Sequence, residues 1–348
     1  MRHQVDVPYG VAGRVTASAR TPEPVLLLDR AAVASVLSIE DCIAAVEAAF
    51  IAHARGLSLS PQLMHVDAEG GEFHIKAGGL KPGRAYFACK VNGGFFANRA
   101  GSGLPNIIGL ILLCDASNGT PLAVMESGHV TQLRTGAATA VAARQLARAD
   151  SRSLLLCGAG RQAEIQLRSL ASVLPLERVS VWSRGDVSSF VQRLSGETGI
   201  DVHAAGDLAT TAHASDIIVT CTSATSPFLE DAHVAAGTFI AAVGADSPGK
   251  QELSSHLVAR CSIVCDLIEQ CAAVGELRHA LAARLMTREQ VRGELGDVLV
   301  GSARKRVNDD ERIIFDSTGT ALQDVAAAAA VYERACERSI GQPFDFWK

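Results

Sequence analysis

Hydrophobic residues follow two patterns along the chain, and the change falls near residue 150. Residues 38–56 repeat apolar positions at helical spacing, with Ser38 as the expected N-cap and Asp41 completing a capping pair. Over residues 61–127, short apolar segments separated by turns predict strands: LMHVDA, EFHIKAG, YFACKVNGG, GLILLCDA and PLAVMES. This part of the chain predicts an α+β unit with a mainly antiparallel or mixed sheet.

From residue 151 onward, uninterrupted apolar strands alternate with segments of helical length. The strands are SLLLCGAG, RVSVWSR, DIIVTCTS, TFIAAVG and SIVCD. This alternation predicts a parallel sheet with helices on both faces. Residues 129–149, rich in Ala and Thr, predict a closely packed helix, and residues 312–335 predict a strand, a glycine turn and a helix that returns to the first unit.

Length and composition narrow the class of protein. A chain of 348 residues exceeds one typical core and indicates two domains. The net charge is −5 and no basic block stands out, so we expect neither a nucleic-acid nor a membrane partner. No apolar run approaches the ~20 residues of a membrane helix. Nine cysteines without paired spacing, and no signal-like N-terminus, predict a cytoplasmic protein with buried thiols.

A glycine motif indicates a dinucleotide site. Gly158, Gly160 and Ala163 form the G-x-G-x-x-A pattern after an apolar strand and before a helix, the context that gives the motif its weight. The first glycine allows a tight turn, the second admits the pyrophosphate, and the alanine allows close packing of helix and strand. The helix N-terminus then offers free N–H groups to the phosphates. A glycine-rich turn of another α/β fold is the alternative.

The next strand bears on the choice between NADP(H) and NAD(H). It ends in VWSRGD, so Ser183 and Arg184 stand where an NAD enzyme usually has an acid for the ribose 2′-hydroxyl. A hydroxyl and a guanidinium suit a 2′-phosphate, and we favour NADP(H) over NAD(H). In the alternative, Arg184 is a solvated turn residue and Asp186 serves NAD. The predicted cofactor contacts also include Arg161, Gln162, Thr222, Val243 and Thr135.

Several charged residues are candidates for chemistry. Asp246 follows the apolar strand TFIAAVG, at the end where ligands bind to parallel sheets. It is either a catalytic acid or a residue that caps the helix near Leu253 or shapes the adjoining turn. Arg134, Lys76 and Lys90 lie in otherwise apolar segments, where a charge is costly unless it pairs, extends to solvent or lines a pocket. The ten histidines, His65 and His74 among them, show no metal-like spacing, so we predict no metal site.

Five segments in order resemble the ornithine cyclodeaminase/mu-crystallin family: KVNGGFFAN with a following GLP, LRTGAATA, GAGRQA, VGADSPGKQEL and IIFDSTGTALQD. The resemblance spans about Leu28 to Ala335. It implies a homodimer whose subunits have a Rossmann NAD(P)-binding domain, here 129–319, entered through the 129–149 helix. It also implies a discontinuous α+β domain, 25–128 with 320–348, for substrate binding and dimerisation. Residues 1–24 are predicted to be an N-terminal extension.

The resemblance assigns roles to particular residues. Arg134 would hold the substrate carboxylate, Lys90 matches the active-site lysine, and Asp246 matches the acid that handles a proton at the substrate nitrogen. Gln62 stands where many members have a second carboxylate-binding arginine, and Lys76 is a candidate to supply that charge.

The resemblance implies an enzyme that transfers hydride between nicotinamide and the α-carbon of a small amino or imino acid. Our leading hypothesis is reduction of a cyclic ketimine such as Δ1-pyrroline-2-carboxylate to L-proline. The alternatives are ornithine cyclodeamination, alanine dehydrogenation and non-catalytic binding of NADPH and a ligand. Ornithine is the second choice because His74 or Lys76 stands near the place where cyclodeaminases tend to have an acid, although Glu72 is nearby.

Overall fold

The computed structural model describes residues 23–348, so the N-terminal extension predicted over 1–24 lies almost wholly outside the described residues. Strands in the described range are β1 (Val25–Leu28), β2 (Ser58–Ala68), β3 (Gly71–Leu80), β4 (Tyr86–Gly94), β5 (Ile107–Asp115), β6 (Pro121–Glu126), β7 (Ser153–Cys157), β8 (Arg178–Trp182), β9 (Asp201–Ala204), β10 (Ile217–Thr220), β11 (Phe239–Ala242), β12 (Ser262–Cys265), β13 (Gly293–Glu294), β14 (Ile313–Asp316) and β15 (Gln342–Phe344).

Helices in the same range are α1 (Arg30–Val36), α2 (Ile39–Ala54), α3 (Asn98–Gly101), α4 (Ser127–Leu146), α5 (Arg161–Ala171), α6 (Ser188–Thr198), α7 (Leu208–His213), α8 (Ser255–Ala259), α9 (Ile268–Val274), α10 (Glu276–Ala282), α11 (Leu295–Val300) and α12 (Ala321–Arg338). Among these, none combines the length and the hydropathy that a membrane span requires.

The first sheet is mixed, as predicted. Within residues 23–348 it has seven strands in the order β15-β1-β6-β5-β4-β3-β2, and the only parallel pair there is β1 with β6. Helices α2, α4 and α12 pack on one face and bury a core that includes Phe50, Ile111 and Val325. We call this the inner face and the opposite one the outer face. Residues that β2, β3 and β4 align in register therefore share one face.

The second sheet is parallel throughout, with eight strands in the order β13-β12-β14-β11-β10-β7-β8-β9. Strands β10, β11 and β14 are buried along their whole length, as their continuous apolar sequences indicate. The carboxyl ends of β7, β10, β11 and β14 meet at one edge. The doubly wound fold predicted from the sequence is confirmed.

Local capping explains the element boundaries. Ser38 Oγ accepts from Asp41 N (3.1 Å) at the start of α2, as the sequence predicts. Helix α4 begins at Ser127 rather than at residue 129, because the Glu126 carboxylate accepts from Gly128 N (2.8 Å) and His129 N (2.9 Å). It ends at Leu146, three residues before the predicted end. Strands β1 and β15 and helix α1 are absent from the sequence-based prediction.

Candidate active site

The turn after β7 has the geometry of a phosphate-binding loop. Gly158 has φ +127°, a conformation that side-chain-bearing residues rarely adopt. A Cβ at this position would lie 3.0 Å from Cys221 Sγ and 3.1 Å from Cys221 O. Both conditions require glycine, so the backbone here lies directly against the loop that follows β10.

Helix α5 begins at this loop and points its N-terminus toward the predicted phosphate position. Gly160 is the N-cap, Arg161 is exposed at the first helical position, and Ala163 is fully buried against the core. Among the described residues, the buried Gln162 Nε2 has no hydrogen-bond partner. An unpaired buried donor beside free helical N–H groups suits an anionic ligand. The residues present therefore fit a dinucleotide pyrophosphate.

The residues after β8 are the candidates for contact with the ribose 2′-hydroxyl or 2′-phosphate of the cofactor. Ser183 is half-buried and Arg184 exposed, immediately after the strand. Asp186, the alternative NAD ligand, accepts from Ser188 N (3.0 Å) and Ser188 Oγ (2.6 Å) at the start of α6. These bonds lower the pKa of Asp186. The carboxylate is thus hydrogen-bonded to the first residue of α6, which leaves Ser183 and Arg184 as the candidate contacts.

A buried carboxylate holds together the loops after β10 and β11, where the remaining cofactor candidates lie. Glu252 accepts from Thr222 N (2.6 Å), Thr222 Oγ1 (2.7 Å) and Gly244 N (3.0 Å). Val243, between them, donates its N–H to Thr220 O (2.9 Å). Thr135 Oγ1 donates to Thr131 O within α4 (2.8 Å). Glu252, which sequence reasoning missed, fixes the backbone at the predicted cofactor loops.

Three buried cations from distant segments meet beside the inner face, and we call Lys76, Lys90 and Arg134 the cation cluster. Lys76 and Lys90 are directly paired in the β3–β4 register. Lys76 Nζ donates to Thr318 O (3.0 Å) and Gly319 O (2.6 Å), just past the end of β14. The cation cluster therefore lies against the ligand-binding edge of the parallel sheet.

Asp324 on α12 neutralises part of this charge and was missed by sequence reasoning. Its Oδ1 accepts from both Lys90 Nζ (2.8 Å) and Arg134 Nε (3.1 Å). Its Oδ2 is buried and has no partner among the described residues. Two cations sharing one carboxylate leave a net positive charge for a ligand. The sequence offered one sign of this residue: an acid inside the apolar segment ALQDVAAAAA, where an unpaired charge is rare.

Burial shifts the titration of the two lysines. Desolvation lowers the pKa of Lys90 to about 7, although the adjacent Asp324 carboxylate acts to raise it. Desolvation, together with the charge of Arg134, also lowers the pKa of Lys76. A lysine with a pKa near 7 can both donate and accept a proton at neutral pH.

Asp246 lies four residues beyond β11 and does not cap a helix. Ser254 caps α8 instead, because its Oγ accepts a hydrogen bond from Leu257 N (3.3 Å). The Asp246 side chain is 37% exposed, and its Oδ1 accepts from Lys250 Nζ (2.5 Å). Partial desolvation acts to raise its pKa, but Lys250 and Lys76 together lower it to about 2. Asp246 is therefore a carboxylate at neutral pH.

The structure does not bring Gln62 to the cation cluster, which corrects its predicted role. In the β2–β3 register, Leu63 lies opposite Lys76 and Gln62 opposite Ala77. Side chains alternate between faces along a strand, so Gln62 lies on the outer face. There its Nε2 donates to Ser60 Oγ (3.2 Å).

A cleft opens between the two sheets beside Asp246. Its cavity measures about 460 Å³. The walls include Asp67 and Glu72 from β2 and β3, and Ser223, Ser247 and Lys250 from the loops after β10 and β11. Carboxyl ends of the parallel strands form one wall and the first domain forms the other, an arrangement typical of two-domain dinucleotide enzymes.

Known proteins share this fold. An archaeal alanine dehydrogenase dimer with bound NAD is 34% identical, covers 93% of this chain and 99% of its own, and superimposes with a TM-score of 0.88. Δ1-Pyrroline-2-carboxylate reductase of Thermococcus litoralis, solved with NADH and L-proline, is 29% identical, with coverage of 91% and 99% and a TM-score of 0.88. Iminosuccinate reductase of Paracoccus denitrificans is 35% identical over 312 residues, 89% of this chain and 96% of its own.

The fold combines a mixed sheet with a doubly wound parallel sheet, and a buried cation cluster contacts the loop after β14. Residues 24–339 match the model of the ornithine cyclodeaminase/mu-crystallin family, and the chain belongs to that family. The resemblance found in the sequence is confirmed.

Proposed function

We propose that this protein is an NAD(P)H-dependent oxidoreductase that reduces a small cyclic α-imino acid, Δ1-pyrroline-2-carboxylate in the first instance, to the amino acid. The observation that carries the proposal is the cation cluster at the ligand-binding edge of the parallel sheet. A substrate carboxylate held there lies next to the cleft where nicotinamide enzymes bind both reactants. A relative of similar fold is a reductase of this imine, solved with L-proline.

The charged residues of the site have different proposed roles in the reaction. Arg134 and Lys76 bind the carboxylate and orient the imine carbon. When bound, NADPH supplies the hydride that this carbon accepts. Lys90, with its pKa of about 7, supplies the proton of the imine nitrogen. Asp246, ionised above pH ~3, stabilises the positive charge of the protonated imine and so makes its carbon more electrophilic.

Ornithine cyclodeamination is the second candidate, and one observation favours it. Asp67 and Glu72 line the cavity, and two carboxylates there would attract the distal ammonium of ornithine. Alanine dehydrogenation follows, on the strength of the 34% identity to that enzyme. The remaining alternative is a binding protein without turnover.

A paired assay tests the reaction. In one cuvette, NADPH absorbance is followed with Δ1-pyrroline-2-carboxylate; in the other, NAD and L-ornithine are incubated and ammonia is measured. We expect NADPH loss in the first and no ammonia in the second. Ammonia release without net cofactor change would identify a cyclodeaminase instead. Silence in both, with tight NADPH binding, would favour the binding protein.

The carboxylate site gives a prediction at Gly319, which has φ +72° and lies against Arg134. A Cβ there would be 2.2 Å from Arg134 Nη1, so Gly319→Ala displaces the guanidinium. We expect KM for the imino acid to rise about tenfold or more, the effect of losing a charged hydrogen bond. Gly301→Ala is the matched control, because Gly301 has φ +83° and its added Cβ meets no described atom within 4 Å. Equal KM values in the two variants would contradict carboxylate binding by Arg134.

We propose NADP(H) as the preferred cofactor, since the Asp186 carboxylate is bonded to Ser188 while Ser183 and Arg184 are available. Ser183→Asp combined with Arg184→Ile is expected to shift the kcat/KM ratio of NADPH to NADH toward NADH by about tenfold or more, because it removes one cation and adds an acid. The single variant Arg193→Ile, at an exposed arginine of α6, is the control. An unchanged cofactor ratio in the double variant would exclude a 2′-phosphate site at these residues.

We also propose a homodimer formed through the outer face. Exposed apolar side chains cover it, contributed by successive strands: Met64, Val66, Phe73, Val91, Ile108, Leu110 and Leu112. A contiguous apolar surface of this kind marks a protein interface, and the archaeal relative is a dimer. A second copy is the occupant that the self-complementary apolar sheet favours.

Leu110→Lys is expected to convert the dimer to a monomer, because it buries a charge at the centre of that surface. Light scattering of purified protein measures the mass. Leu285→Lys is the control, since Leu285 is also exposed (39% against 55% for Leu110) but follows α10 in the other domain. A wild-type monomer, or a dimer that persists in Leu110→Lys, would contradict this interface.

A further inference from the structure

The hairpin of β2 and β3 brings two histidines and an acid together at the cleft. The register pairs His65 with His74 and Asp67 with Glu72, all on the inner face. His65 Nδ1 lies 3.1 Å from His74 Nε2, and Glu72 Oε1 lies 3.2 Å from the same His74 nitrogen. These residues take no part in the carboxylate binding or proton transfer described above.

Two potential ligand atoms lie close to one nitrogen of His74. His74 Nε2 can donate at most one hydrogen, and it lies at hydrogen-bond distance from both His65 Nδ1 and Glu72 Oε1. One potential ligand atom from each of His65, Glu72 and His74 lies within 4.8 Å of the other two. In a tetrahedral site, metal–ligand bonds of about 2.0–2.2 Å set ligand atoms about 3.3 Å apart. The observed separations of 3.1 and 3.2 Å are close to that spacing.

The surroundings match those of a metal site. Asp67 Oδ1 lies 3.0 Å from His65 Nε2, the ring nitrogen on the other side of the imidazole from Nδ1, and Glu72 Oε2 lies 3.5 Å from the same atom. Metal-binding histidines characteristically donate that second N–H to a carboxylate, which fixes the tautomer and makes the ring a better ligand. Glu72 and Asp67 also supply two negative charges, which offset the repulsion between a cation and nearby Lys76.

We propose that His65 Nδ1, His74 Nε2 and a Glu72 carboxylate oxygen bind one divalent transition-metal ion of the Zn²⁺ class, with a water or ligand oxygen as the fourth ligand. Two imidazoles and a carboxylate are a donor set that Zn²⁺ and Co²⁺ accept. Since Asp67 and Glu72 line the cavity, the ion reaches the site from the cleft. The site does not depend on the proposed imine reduction.

The test is titration of the full-length, chelator-treated protein with Co²⁺, followed by visible absorption and calorimetry. We expect one equivalent to bind with the bands of a nitrogen- and oxygen-ligated ion, and Zn²⁺ to displace it. His65→Gln and His74→Gln should abolish this binding, whereas His213→Gln, at the exposed end of α7, should retain it. Asp67→Asn, which alters a side chain 93% exposed and leaves all three ligands, should weaken affinity about 10–100-fold.

Two results would overturn the proposal. One is binding that is absent in the wild type or unaffected by either histidine substitution. The other is an intense thiolate charge-transfer band that Cys265→Ser removes, because the buried Cys265, Cys271 and Asp316 are the second group in the described chain whose ligand atoms lie close together. The unfolding temperatures of the metal-free variants should be alike. A loss of metal binding can then be separated from a loss of folding.

Discussion

Asp246→Asn is expected to lower kcat for imine reduction by about 10²-fold or more, which corresponds to about 2.7 kcal/mol of transition-state stabilisation. The substitution keeps the shape of the side chain and removes its charge. Charge matters here because Lys250 and Lys76 hold the Asp246 carboxyl ionised at neutral pH, beside Ser247 and Lys250 of the cleft wall. Without it, the protonated imine loses its counter-charge as hydride arrives.

The measurement is steady-state turnover at saturating NADPH, together with NADPH affinity and the unfolding temperature. Affinity and unfolding temperature should change little, since Asp246 is a partly exposed loop residue. Asp150→Asn provides the matched control, because Asp150 is 81% exposed beside Arg148 at the far end of β7. If Asp246→Asn keeps wild-type turnover, the proposed catalytic role of Asp246 is contradicted. Its side chain would then only stabilise the loop through its contact with Lys250.

Asp324→Asn is expected to lower the free energy of unfolding by about 3–5 kcal/mol. This is the cost typical of removing one partner from a buried ion pair, because the remaining charge stays desolvated. Here two cations lose their shared partner, Lys90 at 2.8 Å and Arg134 at 3.1 Å, and all three side chains are almost fully buried. The pKa of Lys90 should fall further, since the carboxylate that raises it is gone.

Chemical denaturation measures the change. Asp150→Asn should cost no more than about 1 kcal/mol, as expected for an exposed pair. The double variant Lys90→Met with Asp324→Asn should recover part of the lost stability, because it removes one of the uncompensated charges. A loss no larger in Asp324→Asn than in Asp150→Asn would contradict the role of Asp324 as the shared counter-ion.

The elements that sequence reasoning predicted correctly are those set by local rules. The dinucleotide loop was recognisable because a tight turn, a close approach and a packed helix each require a small residue at a fixed spacing, at Gly158, Gly160 and Ala163. The parallel strands were recognisable because burial on both faces leaves few polar positions within them. Ser38 capped its helix for reasons contained within four residues.

Predictions at the site were less complete where they needed a partner far along the chain. Lys90 and Arg134 were identified, but their shared acid is 234 and 190 residues away on α12. Gln62 was assigned to the substrate because of its position in a motif, yet strand alternation places it on the outer face. Asp246 was weighed as a helix cap until the structure assigned that cap to Ser254.

The sequence by itself determined the class of fold, the family, the glycine loop proposed to bind the cofactor and several charged residues of the candidate site. Hydrophobic periodicity, turn chemistry and motif spacing involve only residues that are close along the chain. They can therefore be recognised from the sequence alone. Only the tertiary structure decided how charge is shared: Asp324 between two cations, Glu252 between two loops, and His65 with Glu72 and His74 across a hairpin. A buried polar group needs a hydrogen-bond partner, and that partner can come from any part of the chain. The hydrophobic pattern of the sequence does not indicate which distant residue it is.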